Sequence, residues 1–322
     1  MNPLDLIDIP IIDAAAHIFR RPCLFVNPTA QMLQIATFLA IGPQIYADGL
    51  VVIDDKKKPI GRISSKHIIS NIIDIRYPEC FELTALQIMD DFTESLDKNS
   101  SLAKVLEVFD KTKFAFIPIT ANNSSDKIDS IRDSTAEKKE EELVASISIR
   151  DILPIIAKMN IDRPIKDLSS QLISVDKKSN IRYAIDLMIK QGIRNIGIRG
   201  DNEDGSKTNN HNNDNRKTKP LRIINDRKIL EFLLSHNGRN IMHANGIDGL
   251  AEIDIINHLD ILSIKKIKCD TTTSKAAELL MDIRNPCLIL EGKEYGGDYS
   301  IVTPWDIVMK TVTLETEKEY RG

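Results

Sequence analysis

Two pairs of side chains stand at the same short spacing: Thr303 with Asp306 in SIVTPWDIV, and Ser148 with Asp151 in ASISIRDIL. In each, a hydroxyl closes an apolar, strand-like run, and a carboxylate follows at the first turn of an Ile/Leu/Val-rich helix. Placed so, the two face one cleft. A carboxylate accepts hydrogen bonds from vicinal hydroxyls such as those of a ribose, and helix-opening N–H groups attract phosphate. Apolar strand residues can sandwich a flat base. The same residue types also make an ordinary helix N-cap, so binding and capping are two readings of one pattern.

Two further copies of the string carry different chemistry. PIGRISSKHIIS sets Ser64 before His67, and PLRIINDRKILE sets Asn225 before Lys228. Neither His67 nor Lys228 accepts from ribose hydroxyls as a carboxylate does, and lysine has no acceptor at all. These two clefts are expected to be degenerate. A competing expectation offers Lys228, together with Arg194 of IRNIGI, to the phosphates of a nucleotide bound mainly by the last copy; a lone arginine at a strand start is also an ordinary surface charge. His67 has no second His, Cys or carboxylate at i+3 or i+4, and His211 is isolated, so no metal site is expected.

The elements that must position these residues recur with them. The hydroxyl or amide positions are separated by 84 residues (Ser64 to Ser148), 77 (to Asn225) and 78 (to Thr303). Upstream of each lies an amphipathic helix pattern leading into a continuous apolar run typical of a buried strand. The pairs are TAQMLQIATFLA with GLVVIDD, SLAKVLEVFDK with FAFIPIT, NIRYAIDLMIKQG with IRNIGIRG, and TSKAAELLMDI with PCLILEG. Asn99 and Ser100, Ser179 and Asn180, and Thr273 and Ser274 are the expected helix caps. Each unit reads strand, helix, strand, strand, helix, an α/β (α+β) fold. The expected division is an N-terminal arm over 1–14, units over 15–78, 79–160, 161–240 and 241–315, and a tail over 316–322. Polar segments 121–142 and 201–219 bury too little to offset the entropy of ordering and are expected as mobile hairpin extensions.

Four regularly spaced copies of a string similar to G-h-h-T/S-x-x-D, with h apolar, each behind the same helix and strand, resemble the CBS-domain family over roughly residues 15 to 315. The resemblance implies that units one and two form one Bateman module and units three and four another, with ligand clefts between paired sheets. It assigns Thr303, Asp306, Ser148 and Asp151 to the ribose and phosphate of an adenosine ligand, and it sets Arg194 where nucleotide-sensing units place a basic phosphate contact. Ser64, His67 and Asn225 are weaker members of the set. Two modules of this family pack into a disc, which one chain of four units could complete alone, so a homodimer is favoured only slightly.

Composition narrows the function. A net charge of −4 advertises no basic face, which puts a nucleic-acid role third. The opening residues are interrupted by Asp5, Asp8 and Asp13 and do not read as a signal peptide. No apolar stretch reaches the length of a spanning helix, so a cytoplasmic protein without membrane contact is expected. Cys23, Cys80, Cys269 and Cys287 show no CxxC spacing and read as buried thiols. No G-x-S-x-G, P-loop or H-E-x-x-H string stands in a suitable context, so no catalytic residue is named and no enzyme is expected. The leading expectation is a regulatory sensor of an adenosine-containing ligand (AMP, ADP, ATP or S-adenosylmethionine) that signals to an effector protein. A ligand-free scaffold is the alternative. No cofactor is expected beyond a bound adenine nucleotide.

Overall fold

The computed structural model describes residues 8–40, 48–75, 77–91, 94–122, 141–199, 222–259, 262–295 and 298–311. Its elements repeat four times. Unit one holds β1 (Phe25–Val26), α2 (Met32–Ala40), β2 (Leu50–Ile53), β3 (Pro59–Ile63) and α3 (Ser65–Asp74), preceded by α1 (Ile11–Ala14) and a 3-10 turn over Ala16–Arg20. Unit two, after α4 (Ala85–Ile88) and β4 (Asp90–Asp91), holds β5 (Leu96–Asp97), α5 (Leu102–Thr112), β6 (Phe116–Asn122), β7 (Glu141–Ser148) and α6 (Leu153–Lys158). Unit three, after β8 (Ser170–Gln171), holds β9 (Ser174–Asp176), α7 (Ile181–Gln191), β10 (Asn195–Arg199), β11 (Arg222–Asn225) and α8 (Asp226–Leu234), followed by α9 (His236–Asn245). Unit four, after α10 (Ile255–His258) and β12 (Leu262–Ser263), holds β13 (Lys266–Lys268), α11 (Thr273–Met281), β14 (Leu288–Tyr295), β15 (Asp298–Val302) and a π-helical turn over Asp306–Lys310.

In every unit the first strand runs parallel to the second, and the second antiparallel to the third. Parallel neighbours need a crossover, which α2, α5, α7 and α11 provide. Their buried faces follow helical spacing, as in Leu102, Val105, Leu106 and Phe109 of α5 or Ile181, Ala184, Ile185 and Met188 of α7. Gly192 closes α7 at a φ of 64°, the left-handed cap that glycine adopts at least cost. The caps lie one residue from expectation in two helices: Ser101 caps α5 and Thr272 caps α11, whereas Asn180 caps α7 as expected. In both misses a neighbouring Ser or Thr has the same chemistry, and only the helix register distinguishes them.

Each unit's lead-in segment crosses to its partner. β4, leading into unit two, pairs with β3 of unit one; β12, leading into unit four, pairs with β11 of unit three; β8, leading into unit three, pairs with β15 of unit four. The exchange makes pairs of units, one with two and three with four. By the same pattern residues 9–21 lie on unit two: the Ile11 N–H donates to the Ser100 carbonyl, the Leu102 N–H to that of Ile9, and Ile11 and Ile18 are buried with α5. Among the described residues unit two's sheet has three strands where the others have four.

Sheets pack within a module and helices pack between modules. Val51 and Ile53 meet Phe116 in one module; Leu172 and Ile223 meet Cys287, Ile289 and Ile301 in the other. Gly49 permits the first contact, since a Cβ there would stand 2.7 Å from the Ile63 carbonyl oxygen and inside the Phe116 ring. One large core joins the helices of units one and three, and a second joins those of two and four, with Phe109 edge-on to Trp305.

Residues 121–122 and 141–142 extend the β6–β7 ladder. The rest of that segment, the 201–219 segment with His211, and the 316–322 tail lie outside the described residues. The four cysteines stand as thiols, not in disulfides; Cys80 and Cys287 are buried, Cys23 and Cys269 half-buried. Burial pushes the thiols of Cys23 and Cys80 up to about 11 and that of Cys287 to about 12, far from thiolate reactivity. Among the described residues no helix is long and apolar enough to cross a membrane, and no group of three or more His, Cys, Asp or Glu could hold a metal ion.

Candidate functional site

The four motif strings all close a strand and open a helix, and in units one, two and four the side chain three places on is turned back onto the cap. In unit four the Thr303 N–H and hydroxyl donate to Asp306 Oδ2 at 3.0 and 2.6 Å, while the Asp306 N–H donates to Thr303 Oγ1 at 3.3 Å. The capping reading is thus realised, and it consumes only one carboxylate oxygen. Asp306 Oδ1 is turned the other way, accepting from Ser170 Oγ at 2.9 Å and from Lys310 Nζ at 2.8 Å. Ser170 belongs to β8, the lead-in strand that crosses from unit three and pairs Ser170 with Ile301. Lys310 lies one turn further along, bonded also to the carbonyl of Leu168.

Unit two repeats the cap: the Ser148 N–H and hydroxyl donate to Asp151 Oδ2 at 2.7 and 2.8 Å. The rest of the carboxylate is taken by the N-terminal segment. Arg21 grips both oxygens, at 2.8 Å to Oδ1 and 2.7 Å to Oδ2, and His17 Nε2 lies 3.0 Å from Oδ1. Arg21 also donates to the Ser146 carbonyl at 3.1 Å. Ser146 precedes Ser148 by two residues, as Ile301 precedes Thr303, so Arg21 serves the strand edge that Ser170 serves in unit four. Burial pushes the Asp151 carboxyl up, but His17 and Arg21 outweigh it and hold it below the usual range.

In unit one His67 takes over the carboxylate's capping role: its Nδ1 accepts from the Ser64 N–H at 2.9 Å, which assigns the proton to Nε2. The His67 ring stacks on Phe114 of unit two at 5.8 Å, and the Arg62 guanidinium carbon lies 3.1 Å from the Phe114 ring centroid. Arg62 is held from behind by Asp90 of β4 at 3.2 Å. Burial lowers the His67 titration despite the nearby Asp90 charge.

Unit three departs furthest from expectation. Asn225 caps α8 by accepting from the Lys228 N–H at 2.9 Å, and Lys228 Nζ pairs with Glu231 at 2.7 Å. Arg194 donates to Asp226 at 2.9 Å and lies 3.4 Å from Asp48 of unit one; Arg227 reaches Asp48 at 3.4 Å as well. The two cations expected to reach toward a phosphate are paired with carboxylates of the chain. Asp48 and Arg194 stand at equivalent places, each two residues before a second-strand residue that pairs across from the residue preceding Ser64 or Asn225 (Leu50 with Ile63, Ile196 with Ile224). The opposite charges of these two repeats meet where the modules abut. Arg150, from within the unit-two motif, joins them by donating to the Leu280 and Asn285 carbonyls of unit four at 2.6 and 3.2 Å, and it senses the charges of Asp48 and Arg194.

Sequence reasoning missed Arg21, His17, Phe114, Ser170 and Lys310: the lead-in segments bring Arg21, His17 and Ser170, the facing unit two brings Phe114, and the next helical turn brings Lys310. Equivalence between repeats was the available signal, and it would have pointed to Asp48 and Arg150. A depression of about 360 Å³, open to solvent, lies between α3 and α7, walled by Ile69, Ile185, Met188 and Ile189 and also touching Lys66 and Asp226. It is away from both hydroxyl–carboxylate pairs.

This architecture occurs in solved structures. Protein MJ1225 of Methanocaldococcus jannaschii, described as a candidate archaeal homologue of g-AMPK, is similar with a TM-score of 0.70 and 15% identity, covering 94% of this chain and 100% of its own. The CBS-domain protein ATU1752 of Agrobacterium tumefaciens has a TM-score of 0.34 and 15% identity, covering 46% of this chain and 93% of its own. CBSX2, solved in complex with AMP, has a TM-score of 0.32 and 15% identity, covering 47% and 98%. No family model and no curated protein matches the sequence. The chain has the tandem CBS fold. Its four CBS units form two Bateman modules, whose helices meet across the molecule.

Proposed function

We propose that this protein is a regulator, not a catalyst, that binds an adenosine-containing ligand in the cleft of unit four and transmits its occupancy to a partner protein. The observation that carries the reading is the split use of Asp306: Oδ2 holds the helix cap with Thr303, while among the described residues Oδ1 is bonded to a serine hydroxyl and a lysine that is 38% exposed. Ribose hydroxyls can take those two donors' places without disturbing the cap. Lys310, released from Asp306, then carries a charge suited to a phosphate. Ligand binding shifts the arrangement of the units only through unequal affinity for two arrangements, and β8 is the element placed to feel it, since Ser170 lies in unit three's lead-in.

A ligand-free scaffold has its own support, because Asp151, Arg194 and Lys228 are each paired within the chain. Thermal unfolding with AMP, ADP, ATP and S-adenosylmethionine separates the two readings. A shift with one of them, absent in Asp306→Ala, supports the sensor; no shift with any leaves the scaffold.

A further inference from the structure

We propose that Arg21 and His17 are a built-in ligand of the unit-two cleft, holding it closed to the class of ligand that unit four accepts. The proposal rests on the reading of unit four given above. The two motifs are equivalent in cap: Ser148 and Asp151 bond as Thr303 and Asp306 do, through the same Oδ2. They differ in what the other oxygen meets. In unit four it meets a hydroxyl and an ammonium. In unit two both oxygens are gripped by one planar guanidinium, a bidentate geometry that matches a carboxylate better than two ribose hydroxyls do. His17 adds a donor to Oδ1, and the second Arg21 contact, to the Ser146 carbonyl, covers the strand edge at which unit four pairs Ser170 with Ile301.

The closure is built to be local. Ile18, between the two gripping residues, is 1% exposed and fixes the segment to the unit-two core. The Arg21 and His17 side chains are 27% and 47% exposed, so they form the outer layer over a carboxylate that is 6% exposed. Swinging the guanidinium outward uncovers Asp151 without moving the backbone that Ile18 anchors. Tethered to the chain, this segment competes at a high effective concentration that a free ligand must overcome.

Calorimetric titration with AMP, and separately with ATP, of the full chain, Arg21→Gln, Asp306→Asn and the double variant tests this. The expected result is one equivalent bound by the full chain, two by Arg21→Gln, none by Asp306→Asn and one by the double variant. One equivalent in Arg21→Gln, lost in the double variant, overturns the closure and leaves the unit-four reading standing. No binding by the full chain, with one equivalent in both Arg21 variants, supports the closure and overturns unit four. No binding by any of the four overturns both. Should Arg21→Gln fail to fold, Arg21→Lys keeps the charge but cannot grip both oxygens; a second, weaker equivalent is expected, and its absence in the folded protein overturns the proposal.

Discussion

Asp151 and Asp306 follow equivalent strands and bond to equivalent caps, and their neighbours Ile152 and Ile307 share one core of units two and four, yet their surroundings differ. Around Asp151 the lead-in segment delivers an arginine and a histidine; around Asp306 it delivers a serine, and the second donor is a lysine of the same helix. A repeat conserves backbone geometry because strand pairing and helix crossover dictate it. The residue that each lead-in presents is under no such constraint, so the same scaffold yields one carboxylate gripped by a guanidinium and a histidine and another held by a serine hydroxyl and a lysine.

Replacing Arg21 with Ala gives the largest expected effect, because it removes the guanidinium from a buried carboxylate and leaves it only the Ser148 cap donors and His17 among the described residues. Loss of one partner from a buried pair costs about 3 kcal/mol, and urea unfolding should show it as a lower midpoint. A cost under about 1 kcal/mol would erase the distinction between the two clefts. Next in size is the ligand effect. At about 100 times its dissociation constant a ligand adds roughly 2.7 kcal/mol of stability; Asp306→Asn should abolish this in thermal unfolding while Asp151→Asn leaves it in place. Lys310→Ala should cost only about 0.5 kcal/mol in unfolding experiments, since the lysine is more than a third exposed and solvent screens the pair. A value equal to that for Arg21→Ala would mean that both carboxylates are locked alike.

The smallest expected effect concerns His67, which caps unit one while neutral. Its folded titration lies below the ordinary value near 6.5, so on acidification the unfolded chain takes up the proton first. The stability it contributes is complete above about pH 6.5 and declines as pH falls from there toward the folded value. Asp151, held below its ordinary range near 3.8, adds nothing to that window. His67→Gln keeps an acceptor for the Ser64 N–H and should flatten the difference between urea midpoints at pH 7 and pH 5.

Much of this is legible in the sequence. The four strings, their near-equal spacing and the helix pattern before each report the crossover architecture, because burial forces the same apolar periodicity wherever a helix covers a sheet. The Ser/Thr-x-x-Asp spacing reports a cap for the same reason. Arg194 shows where legibility stops. The family resemblance made it a phosphate contact by expectation; Asp48 and Asp226 meet it at 3.4 and 2.9 Å, and Asp48 is 146 residues away in the chain.

The sequence alone determined the fold class, the four units and the residues that open each motif helix, since these follow from local periodicity and capping. Only the tertiary structure decided which motif carboxylate is engaged and by what. Lead-in exchange and the meeting of the modules bring charges together from distant units, and the free energy of an ion pair depends on distance and burial that spacing along a chain does not contain.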